Sequence, residues 1–383
     1  MHIFGFCKTW TWARALVCFG IVPAIFLGIL APATYAQEAP KYRVDPFWPQ
    51  ELPNNWIVGQ IGGLAVDRED HIWVLQRPAS NTVDEIGASL APPRSNCCIA
   101  APPVLEFDKQ GHLLHSWGGP GEGFDWPKNE HGIYVDKDGY VWIGGSSPTD
   151  RHILKFKKDG KFVMQIGHPS ADPPDSLRTD ILGRPAGIEV DSEAHEVYIA
   201  DGYMNKRVIV FDSETGAFKR LWGAYGNPPK DADPGAYNPG APPDQQFRNP
   251  VHCVHISRDG LVYVCDRIND RMQVFTKQGK FVKEFVVRPE TLGVGSVWQF
   301  AFSTDEKQKF LLVADGEDNV IWTLRREDGA VVGQTGHNGR NAGQFHWIHQ
   351  IASDSEGSLY TGEVDTGKRI QKFVLLNGGK PKK

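Results

Sequence analysis

Short apolar runs with a two-residue period recur along the chain, each closed by Asp or Ser and a turn. One run is Gly62-Gly63-Leu64-Ala65-Val66-Asp67, followed by His71-Ile72-Trp73-Val74-Leu75. The unit returns as His131 to Asp136 with Tyr140 to Ile143 and Ile153 to Phe156. It returns as Ala186 to Asp191 with Glu196 to Asp201 and Arg207 to Phe211, and as His252 to Ser257 with Leu261 to Asp266 and Arg271 to Phe275. A fifth copy starts near Trp298 and includes Phe310 to Asp315. The sixth runs His349 to Asp354, Leu359 to Gly362 and Arg369 to Phe373. Alternation bounded by Asp-Gly turns predicts β-strands, and a fixed supersecondary repeat predicts blades. Fourth strands follow, as in Lys161 to Gly167 and Lys280 to Phe285. The predicted fold is all-β: a six-bladed β-propeller with four antiparallel strands per blade. The sixth unit lacks a fourth strand of its own before the Lys-rich tail. Tyr42-Arg43-Val44 is expected to supply it, closing the ring and removing an exposed sheet edge.

Aligning the units on their first strands brings out a chemical pattern. The residue five before the closing Asp or Ser is Gly62, His131, Ala186, His252, Trp298 and His349. Histidine thus occupies units two, four and six. In a six-bladed ring the innermost strands line a central channel, and alternate blades stand about 120° apart. Three imidazoles at one depth can then converge on a point. Neutral imidazole nitrogens suit Zn²⁺, and three protein ligands leave a position for water or substrate. His255 and His346 fall off this register and are expected to be supporting or structural.

Composition narrows the setting. Lys8 and Arg14, the apolar run Ala15 to Ala31, and small residues at Thr34 and Ala36 read as a secretory signal peptide over 1–36, with a propeller over 37–383. The alternative is an uncleaved anchor, since the run is near the lower limit of a span. Cleavage would make the protein secreted or periplasmic, with no stable membrane insertion, and a monomer is expected. The chain carries 41 Lys and Arg against 46 Asp and Glu, which argues against a nucleic-acid partner. Cys97, Cys98, Cys253 and Cys265 remain after the leader. Cys253 and Cys265 flank a predicted hairpin and are placed to pair across it, as an oxidising compartment would favour. Cys97 and Cys98 form either a vicinal disulfide or two separate thiols. The Pro-rich stretches 78–103 and 223–250 are read as loops on one face of the disc, where sites are usually built.

The repeat, with its Val-Asp, Gly turn, Val-Tyr-Val-x-Asp strand and Arg-Val-x-x-Phe strand, resembles the NHL repeat. The chain also resembles the peptidyl-α-hydroxyglycine α-amidating lyase family over essentially all of 37–383. The motifs that carry this are Glu130-His131-Gly132-Ile133, Asp201-Gly202-Tyr203-Met204-Asn205-Lys206-Arg207, Pro250-Val251-His252, Asp266-Arg267-Ile268-Asn269 and Ile348-His349. The resemblance implies a zinc lyase with His131, His252 and His349 as ligands, Tyr203 as the catalytic base and Arg77 as the active-site arginine. It implies cleavage of the C–N bond of a peptidyl-α-hydroxyglycine to an amide and glyoxylate, so the partner is a small-molecule or peptide substrate. Zinc would act as a Lewis acid on the hydroxyl, and Arg77 would hold the carboxylate or the developing oxyanion.

Two positions depart from the family pattern. An Asp that helps hold a structural calcium is replaced by Gln350, and a Met two residues before the third histidine is replaced by Trp347. The family's other calcium ligands are main-chain carbonyls that map to Ile61 and Ile133. A neutral amide is a weaker Ca²⁺ ligand than a carboxylate, so the expectation of Ca²⁺ is weak. Trp347 would reshape the pocket. Two other readings stay open: a zinc hydrolase or lyase with another small substrate, and a non-catalytic extracellular NHL binding propeller; a calcium-dependent lactonase-type propeller would use Glu, Asn and Asp at the channel, a set not found on alternate blades.

Overall fold

The Asp that closes a first strand also builds the turn after it. Asp67 Oδ1 accepts the N–H groups of Glu69 and His71, and Asp136 Oδ1 those of Asp138 and Tyr140. The second carboxylate oxygen reaches the buried aromatic of the next strand: Trp73 Nε1 donates to Asp67 Oδ2 at 3.1 Å, and Trp142 Nε1 to Asp136 Oδ2 at 2.8 Å. Asp354 repeats both contacts, with Tyr360 as the aromatic donor. One side chain therefore satisfies the turn amides and ties it to the core, which explains why the repeat is punctuated by Asp.

The computed structural model describes residues 38–377. The proposed leader at 1–36 and the Lys-rich tail lie outside the described residues. Six four-stranded antiparallel sheets follow one another. Blade 1 comprises Gln60–Val66, Ile72–Arg77, Val104–Phe107 and Leu113–Trp117. Blade 2 comprises Glu130–Val135, Tyr140–Gly145, His152–Lys157 and Phe162–Gly167. Blade 3 comprises Gly187–Asp191, Glu196–Asp201, Arg207–Asp212 and Phe218–Trp222. Blade 4 comprises Val251–Ile256, Leu261–Asp266, Arg271–Thr276 and Phe281–Val286. Blade 5 comprises Gln299–Phe302, Phe310–Asp315, Val320–Arg325 and Val331–Thr335. Blade 6 comprises Ile348–Ser353, Leu359–Glu363 and Ile370–Leu375, with Tyr42–Asp45 as its outer strand. The protein is a six-bladed propeller, as the repeat predicts.

Ring closure is as the sequence anticipates. Tyr42 pairs with Leu375 and Val44 with Phe373, antiparallel. Each innermost strand packs against that of the next blade, and blade 6 returns to blade 1. The core lies between blades, where residues such as Ile72, Trp73, Val141, Trp142, Val197, Val264 and Leu311 are fully buried. Such burial contributes about 1.5–3 kcal/mol for each large apolar side chain. Cys253 stands directly opposite Cys265 in blade 4 and is bonded to it, next to His252. Cys97 and Cys98 form the vicinal disulfide in the long loop after blade 1's second strand. That loop is pinned by two short 3-10 turns and by a parallel pairing of Ile99–Ala100 with Trp56–Ile57. Among the described residues no helix is long and apolar enough to cross a membrane.

Candidate metal centre and active site

His131, His252 and His349 each sit where the innermost strand breaks register with its neighbour. The pairing skips between Glu130 and Ile133, between Val251 and Cys253, and between Ile348 and Gln350. A β-bulge inserts a residue without a pairing partner and re-aims its side chain. Strict alternation would otherwise govern where these side chains point. Gly132 takes φ +76°, a region that L-residues avoid, and a Cβ there would stand 2.7 Å from Ala186 O.

Each imidazole is anchored by the same device. His131 Nδ1 lies 3.0 Å from Ala186 O, and His349 Nδ1 lies 3.1 Å from Ile61 O. His252 Nδ1 bonds to Trp298 O. A carbonyl only accepts, so each Nδ1 carries the hydrogen and each Nε2 keeps its lone pair. The anchors are regular too: blade 2 leans on blade 3, blade 4 on blade 5, and blade 6 on blade 1. Ala186 and Trp298 are the residues that stand at the histidine position in blades 3 and 5.

The three Nε2 atoms face a common point. His131 and His349 Nε2 are 3.1 Å apart, and one ring nitrogen from each of the three lies within 4.8 Å of the others. All three rings are buried. Burial holds all three well below the ordinary histidine range. The neighbouring histidines add to this for His131 and His349, and Arg267 adds to it for His252. The rings are therefore neutral, the form that binds metals.

The donor count supports a cation. Tyr203 Oη is 3.0 Å from His131 Nε2 and 3.1 Å from His252 Nε2. One hydroxyl hydrogen cannot serve three acceptor nitrogens, and facing lone pairs repel. A tetrahedral ion with bonds of about 2.0–2.1 Å needs nitrogens about 3.3 Å apart, close to the 3.1 Å between His131 and His349, with the His252 nitrogen within 4.8 Å of both. The residues thus fit a three-histidine metal. They do not fit calcium. Ile61 O is taken by His349 Nδ1, and Gln350 presents its amide nitrogen to Gly62 O at 3.1 Å. A donor group stands where a carboxylate oxygen would be needed.

Tyr203 is held by the motif around it. Asp201 accepts from Asn205 Nδ2 at 2.9 Å and from Arg207 Nε at 2.8 Å, all with buried side chains. This clamp fixes the loop from 201 to 207 after blade 3's second strand. Arg77 ends the second strand of blade 1. Its Nε donates to Glu130 O at 2.8 Å and its Nη1 to Gln60 Oε1 at 2.8 Å. Burial pulls its guanidinium below the usual value, and Tyr203 and Glu130 oppose that shift. Two of its donors are anchored, which fixes the plane of the fork. The structure thus brings together all five residues that the sequence singled out.

It also adds one. Arg267 is buried, donates to Val294 O at 2.9 Å, and lies 4.4 Å over Trp298 and 6.0 Å from the Tyr203 ring. It follows Asp266 as Arg77 follows Gln76. Arg77 and Arg267 therefore occupy one repeat position on blades 1 and 4, across the axis from each other. The alignment that isolates the histidines would have shown this had it been extended to the second strands. Trp347 packs at 5.5 Å against Trp298 with the rings tilted by 49°, and Trp298 in turn meets His252 and His349 edge-on, so the Trp pair forms an aromatic wall beside the triad. His346 is apart from the centre and bonds to Thr366 Oγ1.

Fold and site together define a six-bladed NHL-type propeller with a three-histidine centre on its axis. The chain is homologous to NHL repeat-containing proteins and to peptidylglycine α-amidating enzymes. It is 30% identical over 252 residues to peptidyl-glycine α-amidating monooxygenase B of Xenopus laevis, covering 63% of this chain and 25% of that protein. The chain thus spans about a quarter of the length of that relative. Human NHL repeat-containing protein 3 is 26% identical over 369 residues, covering 91% of this chain and 88% of the relative. A probable peptidyl-α-hydroxyglycine α-amidating lyase of Caenorhabditis elegans is 21% identical over 330 residues, covering 83% of each. No family model matches the chain. Among solved structures, streptogramin B lyase shares the fold, with a TM-score of 0.50 and 13% identity over 88% of this chain and 98% of that one.

Proposed function

We propose that the protein is a zinc-dependent lyase that cleaves the C–N bond of a peptidyl-α-hydroxyglycine-like carbinolamide, giving an amide and glyoxylate. One observation carries the reading: three neutral imidazoles and the Tyr203 hydroxyl meet at one buried point. The relatives include a probable lyase of this class. His131, His252 and His349 would hold the ion. When bound, zinc would supply Lewis acidity that makes a substrate hydroxyl easier to deprotonate.

The chain's own residues do the rest. Tyr203 stands beside the ligand nitrogens, where in its phenolate form it accepts the hydroxyl proton of the carbinol. The C–O bond then gains double-bond character, the C–N bond breaks, and its electron pair goes to the amide nitrogen. That nitrogen takes the proton back from Tyr203, which returns to the phenolate, and glyoxylate leaves. Arg77 grips the substrate carboxylate with its guanidinium. Arg267, across the axis from Arg77, places a second positive charge 6.0 Å from the centre of the Tyr203 ring. A redox cofactor has no part in this balance. With the leader removed, the protein would act outside the cytoplasm, and both disulfides suit an oxidising compartment.

The test is metal analysis of the purified mature protein, paired with glyoxylate release from a short peptidyl-α-hydroxyglycine. Stoichiometric zinc with turnover supports the reading. Stoichiometric zinc with no glyoxylate from any such peptide refutes the lyase and leaves a zinc propeller with another small substrate.

A further inference from the structure

Trp347 immediately precedes the innermost strand of blade 6. Its φ is +56°, in the left-handed region that a bulky side chain avoids. Two neighbours hold it there. Its N–H donates to Asn319 Oδ1, in the turn after blade 5's second strand, and its carbonyl accepts from Val364 N–H at 3.0 Å. The same turn makes room for the adjoining ring: a Cβ on Gly316 would stand 2.7 Å from the Trp298 indole. One turn of blade 5 therefore sets both tryptophans. Residues kept in such conformations against their own preference cluster at ligand sites.

The two rings differ in exposure. Trp298 is 5% exposed, with Arg267 4.4 Å over it and its Nε1 donating to Gly295 O at 2.7 Å. Trp347 leans on this support and is only half-buried, so it keeps surface open. That surface is on the rim of the metal centre. In each blade the start of the innermost strand pairs with the end of the second, as Ile348 does with Glu363, Gln60 with Arg77 and Val251 with Asp266. Arg77, Arg267 and Trp347 therefore share one rim. Its chemistry is divided: blades 1 and 4 bring cations, blade 3 brings Tyr203, and blades 5 and 6 bring flat apolar surface. A carbinolamide has three groups to place around the reacting carbon. The hydroxyl goes to the metal and the carboxylate to a guanidinium, which leaves the uncharged acyl group for the aromatic wall. Trp347 stands two residues before His349, so their Cα atoms are at most about 7.6 Å apart. The residue before the hydroxyglycine has its Cα about 3.8 Å from the carbinol carbon, and its side chain reaches outward over the same range.

We infer that Trp347 is a specificity residue: its open surface receives an aromatic side chain on the residue that precedes the hydroxyglycine. The inference rests on the lyase reading above and names the substrate class within it. Trp347 touches neither the metal nor the reacting atoms. An aliphatic side chain of equal size would gain only from the area it buries, whereas a pair of rings gains about 2–12-fold in affinity beyond that area.

The experiment uses the full mature chain loaded with zinc, as wild type and as Trp347→Met. Three ligands that lack the hydroxyl and cannot react are titrated by calorimetry: N-acetyl-Phe-Gly, N-acetyl-cyclohexylalanyl-Gly and N-acetyl-Ala-Gly. The phenyl and cyclohexyl compounds are similar in size, so their ratio isolates the ring. The wild type should bind the phenyl compound about 2–12-fold more tightly than the cyclohexyl one, and both more tightly than the alanyl one. Trp347→Met should erase the preference for phenyl over cyclohexyl. A purely structural wall would weaken all three ligands by one factor and leave their ratios unmoved, and that result overturns the inference. Equal binding of phenyl and cyclohexyl by the wild type, or binding of none of the three, overturns it as well. Should Trp347→Met fail to fold, the wild type is photolabelled with the azidophenyl form of the ligand and mapped by peptide: a label on Trp347 supports the inference, and a label only elsewhere overturns it. Glyoxylate release from the α-hydroxyglycine forms is scored separately. A phenyl preference in binding without release refutes the lyase and keeps the aromatic subsite, while release without that preference keeps the lyase and refutes the subsite.

Discussion

Replacing Tyr203 with Phe separates metal binding from chemistry. The phenyl ring fills the same space and keeps the edge-on contacts with His131 at 5.0 Å and His252 at 5.7 Å between centroids. Only the hydroxyl is lost. In the metal-free protein that hydroxyl bonds to a ligand nitrogen, and the bond must be given up before the nitrogen can bind an ion. A hydrogen bond contributes about 0.5–1.5 kcal/mol net, and 1.36 kcal/mol is a factor of ten. Tyr203→Phe should therefore bind zinc as tightly as the wild type, or up to about tenfold more tightly. Turnover should fall about 10²–10⁴-fold, the usual contribution of a general base, equivalent to roughly 2.7–5.4 kcal/mol. The assay is zinc affinity by competition with a chelator, run beside single-turnover glyoxylate release. Full metal loading with turnover within a few-fold of wild type would show that Tyr203 is not the base. Loss of metal would show that it is a ligand instead.

Other changes probe the rest of the site. His252→Ala should lose metal and activity together, seen by metal content after dialysis. Arg77→Ala should raise KM if the guanidinium only grips the carboxylate, and lower kcat as well if it stabilises the transition state. Metal affinity should stay flat as pH falls through the ordinary histidine range. The ligand pKa values are depressed, so proton competition begins only below it; a Kd that weakens steeply near the reference histidine value of about 6.5 would contradict this. Gly132→Ala should displace Ala186 O, the anchor of His131, and cost about 1–2 kcal/mol of strain, measured by denaturant unfolding and metal titration. Removing the buried Cys253–Cys265 bond, whose partners are 12 residues apart, should cost about 3 kcal/mol by loop-closure entropy, measured against the intact protein in urea.

The fold was legible because an Asp or Ser closes each first strand at a fixed place, and in blades 1, 2 and 6 the Asp does two jobs, holding the turn and the next strand's aromatic. The histidine triad was legible for the same reason: a repeat converts sequence register into depth along the axis. What the sequence withheld lies between blades. Nothing local says that His131, His252 and His349 sit at bulges, since the extra residue shows only against its partner strand. His255 was set aside as off register, and its ring bonds to Glu189 of the neighbouring blade. Gln350 read only as a missing carboxylate. Its function as a donor depends on Gly62 O, which stands on another blade and is far away in sequence. Arg267 stood in plain view inside a motif, but its role comes from lying across the axis from Arg77.

The centre uses the even number of blades. Blades 2, 4 and 6 supply the imidazoles, and blades 3, 5 and 1 supply the carbonyls that set their tautomers. Each ligand therefore has its own support one blade further on, and the pattern returns to its start only if the ring holds an even count. With five or seven blades, two ligand blades would become neighbours, or one ligand would lose its carbonyl partner. The outer strand Tyr42–Asp45 enforces the count by closing blade 6 from the start of the chain. Closure and ligand geometry are thus one problem. Loosening the Tyr42–Asp45 pairing should disturb His349 first, because it is the ligand on the blade so closed and its anchor, Ile61 O, lies across the seam.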